Sequence, residues 1–215
     1  YKTTQSQIGS DIDGEAAGDN SGNYVSFNED ATIMAIGAIN NDGNGVDSGH
    51  VRVYQLSSGS WSQLGSDIDG EAAGDNARAV SLSSDGTVLA IGAYNNDGNG
   101  PSSGHVRVFK YNGSSWSQIG SDIDGESTND YSGLSIALSS DGTVLAIGAY
   151  KNDGNGVDSG HARVFKYNGS SWLQLGSDID GPGGNSWFGF VELSSDGTIL
   201  AVGAPQDGNN GKSWL

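Results

Sequence analysis

The chain has 215 residues, and its 26 acids against 9 bases give a formal charge of −17. That balance argues against nucleic acid and anionic membranes, which need a cationic face, and suits divalent cations and a salty exterior. Zero cysteines exclude disulfides, thiol catalysis and thiolate metal sites, and no apolar run is long enough for a membrane-spanning helix.

One phrase recurs four times. GSDIDG stands at Gly9–Gly14, Gly65–Gly70, Gly120–Gly125 and Gly176–Gly181, at spacings of 56, 55 and 56 residues. A fixed period of this size marks an array of structural units, here about 9–64, 65–119, 120–175 and 176–215, the last completed by residues 1–8. The chain therefore reads as a single repeat domain. It begins at Tyr1 with no recognisable leader, which reads as a mature or partial chain.

The second unit shows the elements in order. Residues 79–82 (AVSL) predict a short strand, and Asp85-Gly86 predicts a hairpin turn, because glycine supplies the positive φ that tight turns need. Residues 87–93 (TVLAIGA) are apolar on both alternating sets, which suits a strand covered on both faces. After a loop from Tyr94 to Gly104 comes HVRVFK at 105–110, then Asn112-Gly113 as a second turn and a fourth strand at 115–119. No segment carries a 3.6-residue pattern with caps. Four antiparallel strands per unit, repeated in tandem, predict an all-β fold: a β-propeller of four four-stranded blades. A β-solenoid is the weaker reading, because its coils are shorter and rarely hold two tight hairpins.

The fourth unit contains Phe188-Gly189 and then Gly203-Ala204-Pro205, and a G-x-V-x-V-F/Y-like segment recurs at Gly49–Tyr54, Gly104–Phe109 and Gly160–Phe165. These motifs resemble the FG-GAP repeat of integrin α-chain propellers and of bacterial and algal surface proteins. The resemblance implies a non-catalytic extracellular adhesion or binding module at the cell surface, with protein or glycan ligands. It covers the whole chain at unit level, although the literal FG and GAP occur only in the fourth unit. Many members hold calcium in an acidic loop between the first two strands. Here that place is a bare turn, Ser83–Gly86 and its counterparts, so no calcium is expected there.

At the ends, Gly211–Leu215 aligns with the start of a third strand, and Tyr1 onward with the end of one and the strand after it. The termini are thus expected to exchange a strand and close the ring. The same match between molecules would polymerise the chain head-to-tail into a fibre or sheath.

In an up-and-down blade the second loop and the inter-blade connection share one side, and that side receives 20 of the 26 acids. Two acidic motifs lie there. Asp42/Asn44, Asp97/Asn99, Asp153/Asn155 and Asp207/Asn209 offer oxygen donors in flexible loops, for which Ca²⁺ is the fitting ion, although the same residues also make ordinary turns. Asp-x-Asp-Gly-Glu, at Asp11–Glu15 and its copies, reads as a structural connection, with Pro182 replacing the glutamate in the fourth unit.

His50, His105 and His161 start successive third strands. Positions on separate blades lie too far apart to share one metal, so they read as histidines bonded to backbone. Arg52, Arg107 and Arg163, two residues on, are expected to pair with an aspartate of the adjacent connection. Trp61, Trp116 and Trp172 read as blade packing, with a carbohydrate-stacking rim as the alternative. Trp187 and Trp214 break the pattern and, with Tyr1 at the seam, are the expected partner contacts. Asn112 and Asn168 are N-glycosylation sequons in turns, relevant to a secreted eukaryotic chain. Carboxylates abound in every copy, but no asymmetric acid/base pair and no G-x-S-x-G motif points to an enzyme.

Overall fold

A computed structural model describes residues 6–215, apart from the Asn209 side chain. The fold is all-β, with one turn of 3₁₀ helix at Asp207–Asn209. Each of the first three units forms its own antiparallel sheet. In the second, Ala77–Leu82, Val88–Ala93, His105–Tyr111 and Trp116–Gln118 follow one another, close to the predicted spans. A two-residue strand from the following connection, Ile123–Asp124, adds beside His105–Val106. The fourth sheet has three strands: Phe190–Leu193, Leu200–Ala204 and Lys212–Trp214.

The first hairpin turn is specified side chain by side chain. Asp85 Oδ1 accepts from Ser83 Oγ at 2.7 Å and Thr87 N at 2.9 Å, while Ser83 Oγ accepts from Val88 N at 2.9 Å. Gly86 closes the turn at φ +70°. The third unit repeats the arrangement around Ser139, Asp141 and Thr143. The first unit departs from it, for Ala31 takes the glycine's place at φ +56°.

Successive sheets face one another, and their joint is built on missing side chains. A Cβ at Gly37, Gly92 or Gly148 would collide with the backbone carbonyl of Arg78, Gly133 or Gly189 in the next unit. The turn glycines Gly86, Gly142 and Gly197 fit against Ile33, Val88 and Val144 of the unit before. Between the sheets lie Val51, Val53, Leu89 and Ile91, and one joint later Val106, Val108, Leu145 and Ile147, all nearly or fully buried. Burying one such side chain stabilises by about 1.5–3 kcal/mol, so each unit depends on its neighbour. Turn-to-turn hydrogen bonds step along the array, from Glu29 N to Ser84 O, Ser84 N to Ser140 O and Ser140 N to Ser195 O.

No sheet pairing joins the first unit to the fourth among the described residues. Ile8, expected in the fourth sheet, accepts from Trp61 Nε1 of the first unit at 3.2 Å. Tyr1 and the rest of the expected exchanging strand up to residue 5 lie outside the described residues.

Candidate functional site

Two features stand on the side carrying the second loops and connections. The first is a repeated Glu–His–Asp cluster. Pairing of the short connection strand with the third strand sets His50 opposite Asp69, which brings Asp67 to the same place. Glu15 arrives from the preceding connection. The ligand-type atoms of Glu15, His50 and Asp67 lie within 4.8 Å of one another, as do those of Glu71, His105 and Asp122, and of Glu126, His161 and Asp178. The histidines are about 1 % exposed, with Nδ1 3.6, 3.7 and 3.7 Å from the glutamate Oε2. That separation exceeds a hydrogen bond. Nδ1 of His50 and His161 and Nε2 of His105 and His161 have no hydrogen-bond partner, which corrects the expected backbone bonding. Burial, reinforced by Arg107 and Arg163, pushes His105 and His161 down to about 4, so both rings are neutral at pH 7. Burial raises the Glu71 and Glu126 carboxyls, against the pull of the same arginines.

The arginines do reach an aspartate, but through its backbone. Arg52, Arg107 and Arg163 donate from Nη2 to the carbonyls of Asp13, Asp69 and Asp124 at 2.6 Å. Arg107 and Arg163 also face Oε1 of Glu71 and Glu126, at 3.6 and 3.9 Å.

The second feature is an aromatic ladder. Tyr94 and Tyr150 directly follow the second strands of their units, and Tyr131 and Trp187 precede the first strands of the next. Ring centroids are 6.1 Å apart for Tyr94–Tyr131, 5.6 Å for Tyr131–Tyr150, 5.6 Å for Tyr150–Trp187 and 6.3 Å for Tyr150–Phe190. Two cations lie on it. The Arg78 guanidinium is 4.8 Å from the Tyr94 ring centre, and Lys151 Nζ is 5.1 Å from that of Tyr131. Tyr131 and Trp187 hold φ of +55° and +54°, in a place where the second unit has Asn76 at +54°. Asparagine tolerates that conformation, whereas a bulky aromatic is strained there by on the order of 1 kcal/mol. The sequence reading found Trp187 and missed the tyrosines. The clue was the tyrosine after Gly-Ala in units two and three, where the first unit has Ile39.

The remaining expected sites are placed as follows. Asp42, Asp97 and Asp153 accept from the backbone N–H of Asp47, Ser102 and Asp158 within their own loops, at 2.8–2.9 Å. Asn44, Asn99 and Asn155 donate to the carbonyls of Gly70, Gly125 and Gly181 in the next connection. Asp207 pairs with Lys212 at 2.8 Å, and the Asn209 side chain lies outside the described residues. Trp116 and Trp172 Nε1 donate to the carbonyls of Leu64 and Ile119, tying sheet to sheet. Trp214 packs edge-on against Phe188 at 5.4 Å. Asn112 and Asn168 are exposed and hold their own turns by accepting from Ser114 and Ser170 N.

Residues 122–165 match the family model described as FG-GAP repeat. No curated protein matches the sequence. Among solved structures, a putative 6-phosphogluconolactonase from Bacteroides fragilis is similar at TM-score 0.51 and 12 % identity, over 74 % of this chain and 38 % of its own. One from Bacteroides uniformis matches at 0.56 and 15 %, over 88 % and 52 %. Hydrazine synthase from Kuenenia stuttgartiensis matches at 0.56 and 15 %, over 88 % and 57 %. The chain thus spans less than two thirds of the length of each, and the likeness is one of fold. Residues 122–165 are an FG-GAP repeat, and the chain made of that unit and its three companions has the fold of a β-propeller.

Proposed function

We propose that the chain is a non-catalytic adhesion module of the cell exterior that binds a glycan along the ladder of Tyr94, Tyr131, Tyr150 and Trp187. The observation that carries this reading is the pair of aromatics in left-handed backbone. Ring pairing with Tyr94 and Tyr150 offsets the strain at Tyr131 and Trp187, and the result is a row of four half-buried aromatic rings on the loop side, the kind of amphipathic surface against which sugar rings pack. The FG-GAP repeat supports the binding role and the exterior location. A glycan array probed with the full chain tests it. Binding lost in Trp187→Ala and Tyr150→Ala supports the proposal; binding unchanged in both, or capture of no glycan, overturns it.

A second reading, head-to-tail assembly with another copy of the chain, is favoured by the two end faces. Val25 and Phe27 on the first sheet are 54 % and 48 % exposed, whereas their counterparts Val80 and Leu82 are buried by the sheet before them. On the fourth sheet Ile199 is 56 % exposed, whereas its counterpart Val144 is buried by the sheet after it. The two open faces are therefore the two halves of the joint that the array already makes three times. Light scattering over a concentration series tests this. A monomer at every concentration overturns it; assembly abolished by Ile199→Asp supports it.

A further inference from the structure

We propose that each of the first three units holds one first-row divalent metal ion, Zn²⁺ foremost, between its Glu, His and Asp: Glu15–His50–Asp67, Glu71–His105–Asp122 and Glu126–His161–Asp178. The buried ring nitrogens are the pointer. Nδ1 of His50 and His161 is shielded from water and finds no donor or acceptor, yet it faces a carboxylate oxygen 3.6–3.7 Å away. A buried polar atom without a partner is costly, and two ligands of one ion stand about that far apart.

The outer groups are already in place. Gln63, Gln118 and Gln174 donate from Nε2 to Oδ1 of Asp67, Asp122 and Asp178 at 2.6–2.7 Å, which leaves Oδ2 for an ion. Arg107 and Arg163 face the glutamate Oε1, and Oε2 is the oxygen turned to the histidine. Such partners orient metal ligands. One imidazole and two carboxylates with room for water suit Zn²⁺ or its neighbours better than Ca²⁺, which takes six to eight oxygens. The fourth unit lacks the glutamate and the histidine together, having Pro182 and Lys212 at those positions. A bound ion would pin the connections on either side of a unit to its third strand.

The full chain, stripped with chelator, is titrated calorimetrically with ZnCl₂ against a competing chelator. The expected result is three ions per chain. The glutamates are 40–45 % exposed, so Glu15→Gln, Glu71→Gln and Glu126→Gln leave the fold intact, checked by circular dichroism. Each should weaken one site by at least about tenfold and reduce tight binding to two ions. Co²⁺ substitution should give visible absorption that diminishes in His105→Gln. No Zn²⁺ uptake, uptake indifferent to all three glutamate variants, or equal displacement by Ca²⁺ would each overturn the proposal, the last two marking non-specific binding to the acidic face.

Discussion

The second strands of the third and fourth units read almost alike, VLAIGA and LAVGA, yet they live in different surroundings. Val144–Ala149 is buried throughout, whereas in Leu200–Ala204 only Val202 and Ala204 are buried. The difference is the neighbour. A further unit covers the third sheet, and no described residue covers the outer face of the fourth. Both-face apolarity in these strands is therefore written for a partner sheet and not for the strand's own blade.

The largest effect is expected from a methyl group placed in the joint. Gly148→Ala drives its Cβ into the Gly189 carbonyl and should cost about 3 kcal/mol or more, or prevent folding, read from the denaturant midpoint. Gly203→Ala, at the matching place in the last unit, meets nothing nearer than Phe190 Cβ at 3.4 Å and should stay within about 0.5 kcal/mol of the parent. Equal effects would refute the neighbour argument.

Core truncation comes next. Leu145 is fully buried, and Leu145→Ala should cost about 3–5 kcal/mol; Leu200→Ala, half-exposed, should cost at least about 1 kcal/mol less by urea denaturation.

A pH series sharpens the contrast, since the last unit has Lys212 where the others have histidine. His161 has a folded value of about 4 against an ordinary 6.5, so the unfolded chain binds the extra proton. In metal-free buffer its contribution is fully present above pH 6.5 and is lost as pH falls towards 4, by up to roughly 3 kcal/mol. The raised Glu71 and Glu126 carboxyls act in the opposite sense at lower pH. Melting temperatures of His161→Gln should fall less across that window than those of the parent; parallel curves would refute this. The smallest effect belongs to the opposite end: Ala31→Gly relieves a left-handed alanine and should raise stability by about 1 kcal/mol in thermal melts.

The strands and turns were legible because Asp-Gly, Asn-Gly and two-residue alternation are local signals. The Glu–His–Asp cluster was not. Glu15 lies 35 residues before His50 and Asp67 lies 17 after it, and they meet only because Ile68–Asp69 pairs back onto the third strand. Each motif looked structural alone. The arginine partners were read half correctly: the aspartate was right, but its carbonyl and not its carboxylate makes the bond. The ladder stayed hidden because the hairpin of the third sheet sets Tyr131 beside Tyr150, and only stacking of the sheets brings Tyr94 and Trp187, from the neighbouring units, up to them.

The joint of glycine against carbonyl at Gly37, Gly92 and Gly148 has a consequence for heredity. Because main chain meets main chain there, this part of the joint asks only that a duplicated unit keep its glycine, whatever side chains flank it. The position beside the joint is free to vary in its turn: it holds Asn76 in the second unit, Tyr131 in the third and Trp187 in the fourth, on one unchanged backbone conformation.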